Sequence, residues 1–221
     1  MPKFDTPAPI TTALNIPAGR VHLIATDRTD TEVAIQPADP SKNRDVKAAE
    51  HTTVDYTDGV LRIHTHATDN QYFGPTGSVA VTIHLPTDSR VEATTGASEL
   101  HTVGRLGDVT FNGAYRHITI DHATTLQLTA VDGDVHVGHL DGPAQVTTTR
   151  GDIHITEATR GTVVLRTQSG SITLGAATGV SASLDAGTTY GRISNSLKNN
   201  GTTELDITAT TAHGDIAAHS L

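Results

Sequence analysis

From about Leu100 onward, apolar and polar residues alternate in short bursts, each introduced by a glycine turn. The clearest phrases are Gly133-Asp134-Val135-His136-Val137 and Gly151-Asp152-Ile153-His154-Ile155. The phrase loosens to Gly170-Ser171-Ile172-Thr173-Leu174, then to Gly191-Arg192-Ile193 and Gly214-Asp215-Ile216. Aligned on the first inward residue, the anchors are Leu100, Ile118, Val135, Ile153, Ile172, Ile193 and Ile216, spaced 18, 17, 18, 19, 21 and 23 residues apart. At the Ile118 copy, Arg116 stands where the glycine would. A second short strand precedes each phrase, as in Leu126-Gln127-Leu128, Ala144-Gln145-Val146, Val163-Val164-Leu165 and Leu205-Asp206-Ile207. Most of these alternate with the period of two that marks a half-buried strand.

One such unit cannot bury its apolar side alone. Stacked units can, because each strand then pairs with its equivalent about 4.8 Å along the axis. The pattern predicts an all-β chain: a parallel β-solenoid of about 18–23 residues per coil over residues 89–221, each coil lying over its predecessor. Aliphatic ladders fill a thin core, and glycine allows the corner. An antiparallel meander or sandwich with regular turns is the rival reading.

Residues 1–88 read differently. The stretch from Thr52 to Thr65 is a hairpin around Asp58-Gly59, a pair suited to a type I′ turn. Residues 77–86 form another alternating strand, closed by Pro86, and residues 36–45 are a loop by composition. Ala and charged residues between Ser41 and Thr53 allow one or two helical turns. We expect 1–88 to be a small antiparallel β region capping the first coil, with a soft boundary; one continuous domain is the other reading. The chain stops after a last strand with no helix to cover it. Either a loop folds over that end or another copy pairs with it, which makes self-association through the C-terminal coil one of the two expected arrangements.

Composition narrows the function. Hydrophobic residues are 36% and aromatics only 3%, which suits a narrow Val/Ile/Leu/Ala interior. A net charge of −9 argues against nucleic acid, whose non-specific affinity comes from Lys and Arg. Cysteine is absent, which removes disulfides, thiolate zinc sites and a Cys nucleophile. No stretch has the length of a membrane span or the form of a signal peptide, so the sequence as given reads as cytoplasmic and not inserted in a membrane. Surface display through a segment outside it is left open.

Thirteen histidines are the oddest feature. His136 and His154 occupy the same outward position in neighbouring coils, as a metal-binding or pH-sensitive pair or simply as polar strand residues like Thr119 and Thr173. His64 and His66 form a His-x-His pair of the kind cupin metal sites use, with Asp69 and His84 the only nearby candidates to complete it. Exposed strand histidines are the plainer reading. Asp134, Asp152 and Asp215 follow the turn glycines, a column that calcium-binding β-rolls also show; hydrogen bonding to the backbone of their own turn is the simpler account. Gly133, Gly151, Gly170, Gly191 and Gly214 are read as structural corners. Asn200-Gly201-Thr202 is read as a turn rather than a glycosylation site. No nucleophile elbow, phosphate loop or dinucleotide fingerprint is present, so no catalytic or cofactor-binding residue is assigned.

The Gly-Asp-Val-x-Val phrases, with the run from Leu165 to Ser194, resemble a bacterial family of β-strand-repeat proteins of unknown function, called adhesins by analogy of architecture. The segment from Phe4 to Asp39 resembles the opening of actinobacterial members. The resemblance implies a repeat architecture and no catalytic residues. The expected function is therefore a non-enzymatic, adhesin-like interaction scaffold for an unknown protein or polymer. The alternative is a histidine-based metal-binding enzyme or sensor of cupin-like type.

Overall fold

A computed structural model describes residues 2–66, 77–113 and 115–221. Two compact units divide the chain, Met1–Tyr115 and Arg116–Leu221.

The first unit contains β1 (Lys3–Asp5), β2 (Thr11–Thr26), β3 (Asp30–Pro37), helix α1 (Asn43–Glu50), β4 (Thr52–Thr57), β5 (Val60–Thr65), β6 (Val79–Pro86), β7 (Arg90–Val103) and β8 (Arg105–Asn112). The long strand β2 is its centre. Leu14, Ile16, Val21, Leu23 and Ala25 point inward from it and are buried. It runs parallel to β5 and β6 on one side and to β7 on the other. β8 continues the parallel run beyond β7. Antiparallel pairing joins β1 to β3, β3 to β6 and β4 to β5. At the β4–β5 turn, Asp58 and Gly59 have φ of 52° and 76°, the two positive values a type I′ hairpin requires. Parallel pairing thus begins at Thr11, and the antiparallel strands of residues 1–88 lie alongside it.

The second unit contains β9 (Ile118–Thr129), β10 (Val135–Leu140), β11 (Ala144–Thr147), β12 (Ile153–Ala158), β13 (Gly161–Arg166), β14 (Ile172–Ala176), β15 (Ala182–Tyr190), β16 (Ile193–Ser196), β17 (Leu205–His213) and β18 (Ile216–Ser220). These strands pair in parallel within the unit. The protein is a parallel β-solenoid of the all-β class, and the core of its second unit is lined by aliphatic rows, among them the two that start at Ile118 and Leu126. One row is Ile118, Val135, Ile153, Ile172 and Ile216, all buried. The other begins Leu126, Ala144, Val163 and Ile207. Only hydrocarbon side chains meet in these rows, so the hydrophobic effect holds the coils together.

The order of the coils departs from the expected simple succession. The first three windings, from β9 to β13, stack in sequence order. The final segment does not lie at the end. β17 is flanked by β13 and β15, and β18 by β14 and β16. The last winding is therefore interleaved, and residues 182–196 are pushed to the edge. Burial explains the exchange. Leu205, Ile207, Ala209, Ile216 and Ala218, inward positions of the last segment, are all apolar and all buried. The edge segment places Asn195 where Ala218 and Leu174 stand. The more apolar segment takes the position with neighbours on both sides. The C-terminal coil therefore does not offer the open edge expected of it, because both of its sides are already paired.

Candidate functional site

The corner column comes first because it fixes what points outward. Gly133 and Gly151 have φ of 133° and 128°, a region L side chains rarely adopt. A Cβ at Gly151 would run into the carbonyl of Gly133, and one at Gly214 into that of Gly170. One at Gly191 would meet Gly214, so the column reads 133, 151, 170, 214, 191 and repeats the interleaving. Arg116 holds the glycine-like conformation at the first corner, with φ 114°.

The aspartates do not close their own turns; each reaches the next coil. The Asp152 N–H donates to Asp134 Oδ1 at 2.9 Å, and the Ser171 N–H to Asp152 Oδ1 at 2.7 Å. The Arg192 N–H donates to Asp215 Oδ1 at 2.8 Å. These carboxylates thus serve as clips between coils. Arg150 pairs with Asp132 at 3.0 Å rather than with the clip residues.

A threonine three residues before the glycine completes several corners, a signal the sequence carries but the glycine phrase obscures. Thr167 Oγ1 donates to the Gly151 carbonyl at 3.2 Å and Thr211 Oγ1 to that of Gly170 at 3.0 Å. Both threonines are buried, so each hydroxyl needs a partner and takes one from the neighbouring coil.

His64, His66 and His84 do not come together. The His64 and His66 rings meet edge-on at 4.3 Å, and His66 Nε2 lies 3.3 Å from Thr53 Oγ1. His64 is in register with Asn15 near the start of β2, whereas His84 is in register with Ile24 near its end. Asp69 lies outside the described residues. Among the described residues, no three His, Cys, Asp or Glu side chains are grouped so as to hold a metal ion.

Other histidines do form ladders. His136 and His154 stack at 4.9 Å with ring planes 9° apart. His122 and His139 lie 5.6 Å apart, with His122 on Asp141 at 2.7 Å and His139 on Glu157 at 3.3 Å. In the first unit, His22 faces His101 at 5.0 Å. These two line a cleft of about 300 Å³ with Arg20, Thr82 and Glu99. His22 Nε2 is buried and has no hydrogen-bond partner among the described residues. Burial, then His101, then His84 hold His22 below the ordinary histidine range.

His154 is held down in the same way, by burial first and then by His136 and His219. The unfolded chain therefore takes up the proton more readily than the folded one. This contribution is whole above the ordinary histidine value of 6.5 and is lost as pH falls below it. The urea midpoint is expected to drop between about pH 7.5 and about pH 5. His154→Thr, matching Thr119 and Thr173 in the same row, should lessen that drop. An undiminished drop in this variant would place its origin elsewhere.

A groove of about 600 Å³ lies on the outward face of β5, β2, β7 and β8. Two registered rows cross it. One runs Arg62, Ala13, Glu92, Thr110; the other runs His64, Asn15, Thr94, Asn112. Ala13 is the low point, and Arg62 and Glu92 rise beside it. Arg90 is held by Glu92 at 3.0 Å, while Arg62 makes no ion pair among the described residues. The second row offers hydroxyl, amide and imidazole groups at the spacing of neighbouring strands, about 4.8 Å.

Parallel coils with polar side chains standing outward in register define a repeat protein of the β-solenoid class. More narrowly, the Toastrack DUF4097 family model matches residues 12–219, and the chain belongs to that family. Similar solved structures include a "putative cell adhesion protein" of Clostridium sporogenes, with 11% identity over 100% of this chain and 98% of that chain, and a TM-score of 0.39. A "putative adhesin" of Bacteroides fragilis has 12% identity over 98% and 95% of the two chains, with a TM-score of 0.42. A "putative lipid binding protein" of Parabacteroides distasonis has 10% identity over 98% and 95%, with a TM-score of 0.37. No curated protein sequence matches the chain. Among the described residues no helix is long and apolar enough to cross a membrane.

Proposed function

We propose that the protein is a non-enzymatic, adhesin-like scaffold that holds an extended polar ligand across its outward rows. The observation that carries this reading is the groove on the first unit. There, His64, Asn15, Thr94 and Asn112 form a registered line of groups that both donate and accept hydrogen bonds. Such a line suits a ligand that presents hydroxyl or amide groups at intervals. Arg62, without an ion pair among the described residues in a chain of net charge −9, adds a contact for one acidic group. Each contact is weak, because water competes at an open face, and affinity accumulates along the row.

The test is retention of the purified protein on an array of polysaccharides and extended polypeptides, followed by alanine substitution at Asn15, Arg62, Thr94 and Asn112. Each single change should weaken binding by roughly two- to tenfold, the range of one net hydrogen bond. Combinations should weaken it cumulatively. Abolition of binding by any one of these changes, or turnover of the retained polymer, would refute the scaffold reading.

A further inference from the structure

The edge winding formed by β15 and β16 is unfinished. Among the described residues β15 pairs only with β17, and β16 only with β18. Ile193 belongs to the same inward row as Ile216 and Ile172. Those two are 1% exposed, yet Ile193 is 48% exposed and nearby Tyr190 is 68% exposed. The aliphatic row therefore ends with its last member uncovered.

The backbone of this winding is only partly occupied. The loop that follows β16 folds back onto the start of β15: the Ala182 N–H donates to the Lys198 carbonyl, and Asn199 Nδ2 donates to the Ala182 carbonyl. That cover stops at Ala182. Just before β16 the Arg192 carbonyl accepts from the Ile216 N–H. Bonding direction alternates along a strand in a parallel ladder, so the N–H and C=O groups of Ile193 and Asn195 face away from β18, toward the open side. Exposed edges are commonly guarded by charge. Here residues 182–204 carry only Asp185, Arg192, Lys198 and Glu204, which sum to zero in a chain of net charge −9. At the edge of the first unit, by contrast, Lys3 on β1 is locked to Asp30 and Glu32.

We infer that the β15–β16 edge is a two-fold interface that pairs with the same edge of a second copy of this chain. A suitable partner must offer two things at once: unpaired strand groups, and aliphatic side chains that continue both the row ending in Ile193 and the row in which Leu184 pairs with Ile207. The same winding on a second copy supplies both. Its zero local charge removes the repulsion that two copies of an acidic chain would otherwise meet. A pairing of like with like closes at two copies.

The test is light scattering with size-exclusion chromatography on the full chain across a concentration series. The expected result is a mass of two chains that dissociates on dilution. Ile193→Lys should weaken dimerisation by roughly a hundredfold or more, since it sets like charges face to face. Asn195→Pro removes one N–H on the open side and leaves the ladder to β18 intact, so it should also yield monomers. Circular dichroism and thermal melting would establish that both variants are folded. Unfolding of one leaves the other as the test, and unfolding of both would refute an edge that tolerates change. A wild-type chain that stays monomeric at its highest soluble concentration would overturn the interface. So would an open-ended series of oligomers, or a dimer that survives both substitutions.

Discussion

Gly151→Ala is expected to lose about 4 kcal/mol or more of folding stability, a large part of what a domain of this size has. Two effects add. The residue sits at φ 128°, where a side chain is strained. A Cβ would also press into the backbone carbonyl of Gly133 on the neighbouring coil, where the Gly133 backbone is held in place by its N–H donating to the Arg150 carbonyl. Relief requires the two coils to part, which would break the Asp134–Asp152 clip as well. Two other glycines separate the effects. Gly179 has φ 86° but nothing within 4 Å of an added methyl group, so alanine there should show strain alone, about 1–2 kcal/mol. Gly187 has open space and no positive φ, so alanine there should fall within about 0.5 kcal/mol of wild type. Urea unfolding of the three variants checks the ranking. Equal midpoints for the Gly151 and Gly187 variants would contradict the corner geometry.

Ile153→Ala is expected to destabilise by about 3–5 kcal/mol. The side chain is fully buried and sits between Val135 and Ile172 in its row. In so thin a core few atoms can move in to fill the space, so the loss should lie toward the upper end of the range for buried aliphatic truncation. Ile153→Val removes one methyl and should lose about 1 kcal/mol. Thr173→Ala, on the outward row, should change stability by less than about 0.5 kcal/mol. The same denaturation series measures all three, and a small loss for Ile153→Ala would mean that the row does not carry the fold.

The rows of the second unit were legible in the sequence because alternation and glycine spacing report local geometry, and local geometry repeats. Val135, Ile153 and Ile172 lie where that pattern puts them. Coil order was not legible. Ile193 follows Ile172 in the chain but lies beyond Ile216 in space, and a repeat phrase carries no information about which copy touches which. The inward Asn195 was the available hint, since a polar residue in an aliphatic row belongs where it can reach water. The glycine phrase also drew attention away from Thr167 and Thr211, whose role depends on a carbonyl supplied by another coil. In the first unit, Val21 and Leu100 occupy matching positions of β2 and β7. The facing His22 and His101 follow from that register, which is hidden by the long separation between the strands. The groove shows the same limit: Asn15, His64, Thr94 and Asn112 come from four separate segments, and only the pairing of β5, β2, β7 and β8 makes them a line.

The interleaved last winding changes how the molecule behaves as a repeat array. Linear arrays shed terminal modules one at a time, because each module leans only on its neighbours in the chain. Here removal of residues 205–221 would take out an inner layer and strand the segment that lies outside it. The second unit should thereby unfold as a single cooperative block, whose completion during synthesis waits for residues 205–221.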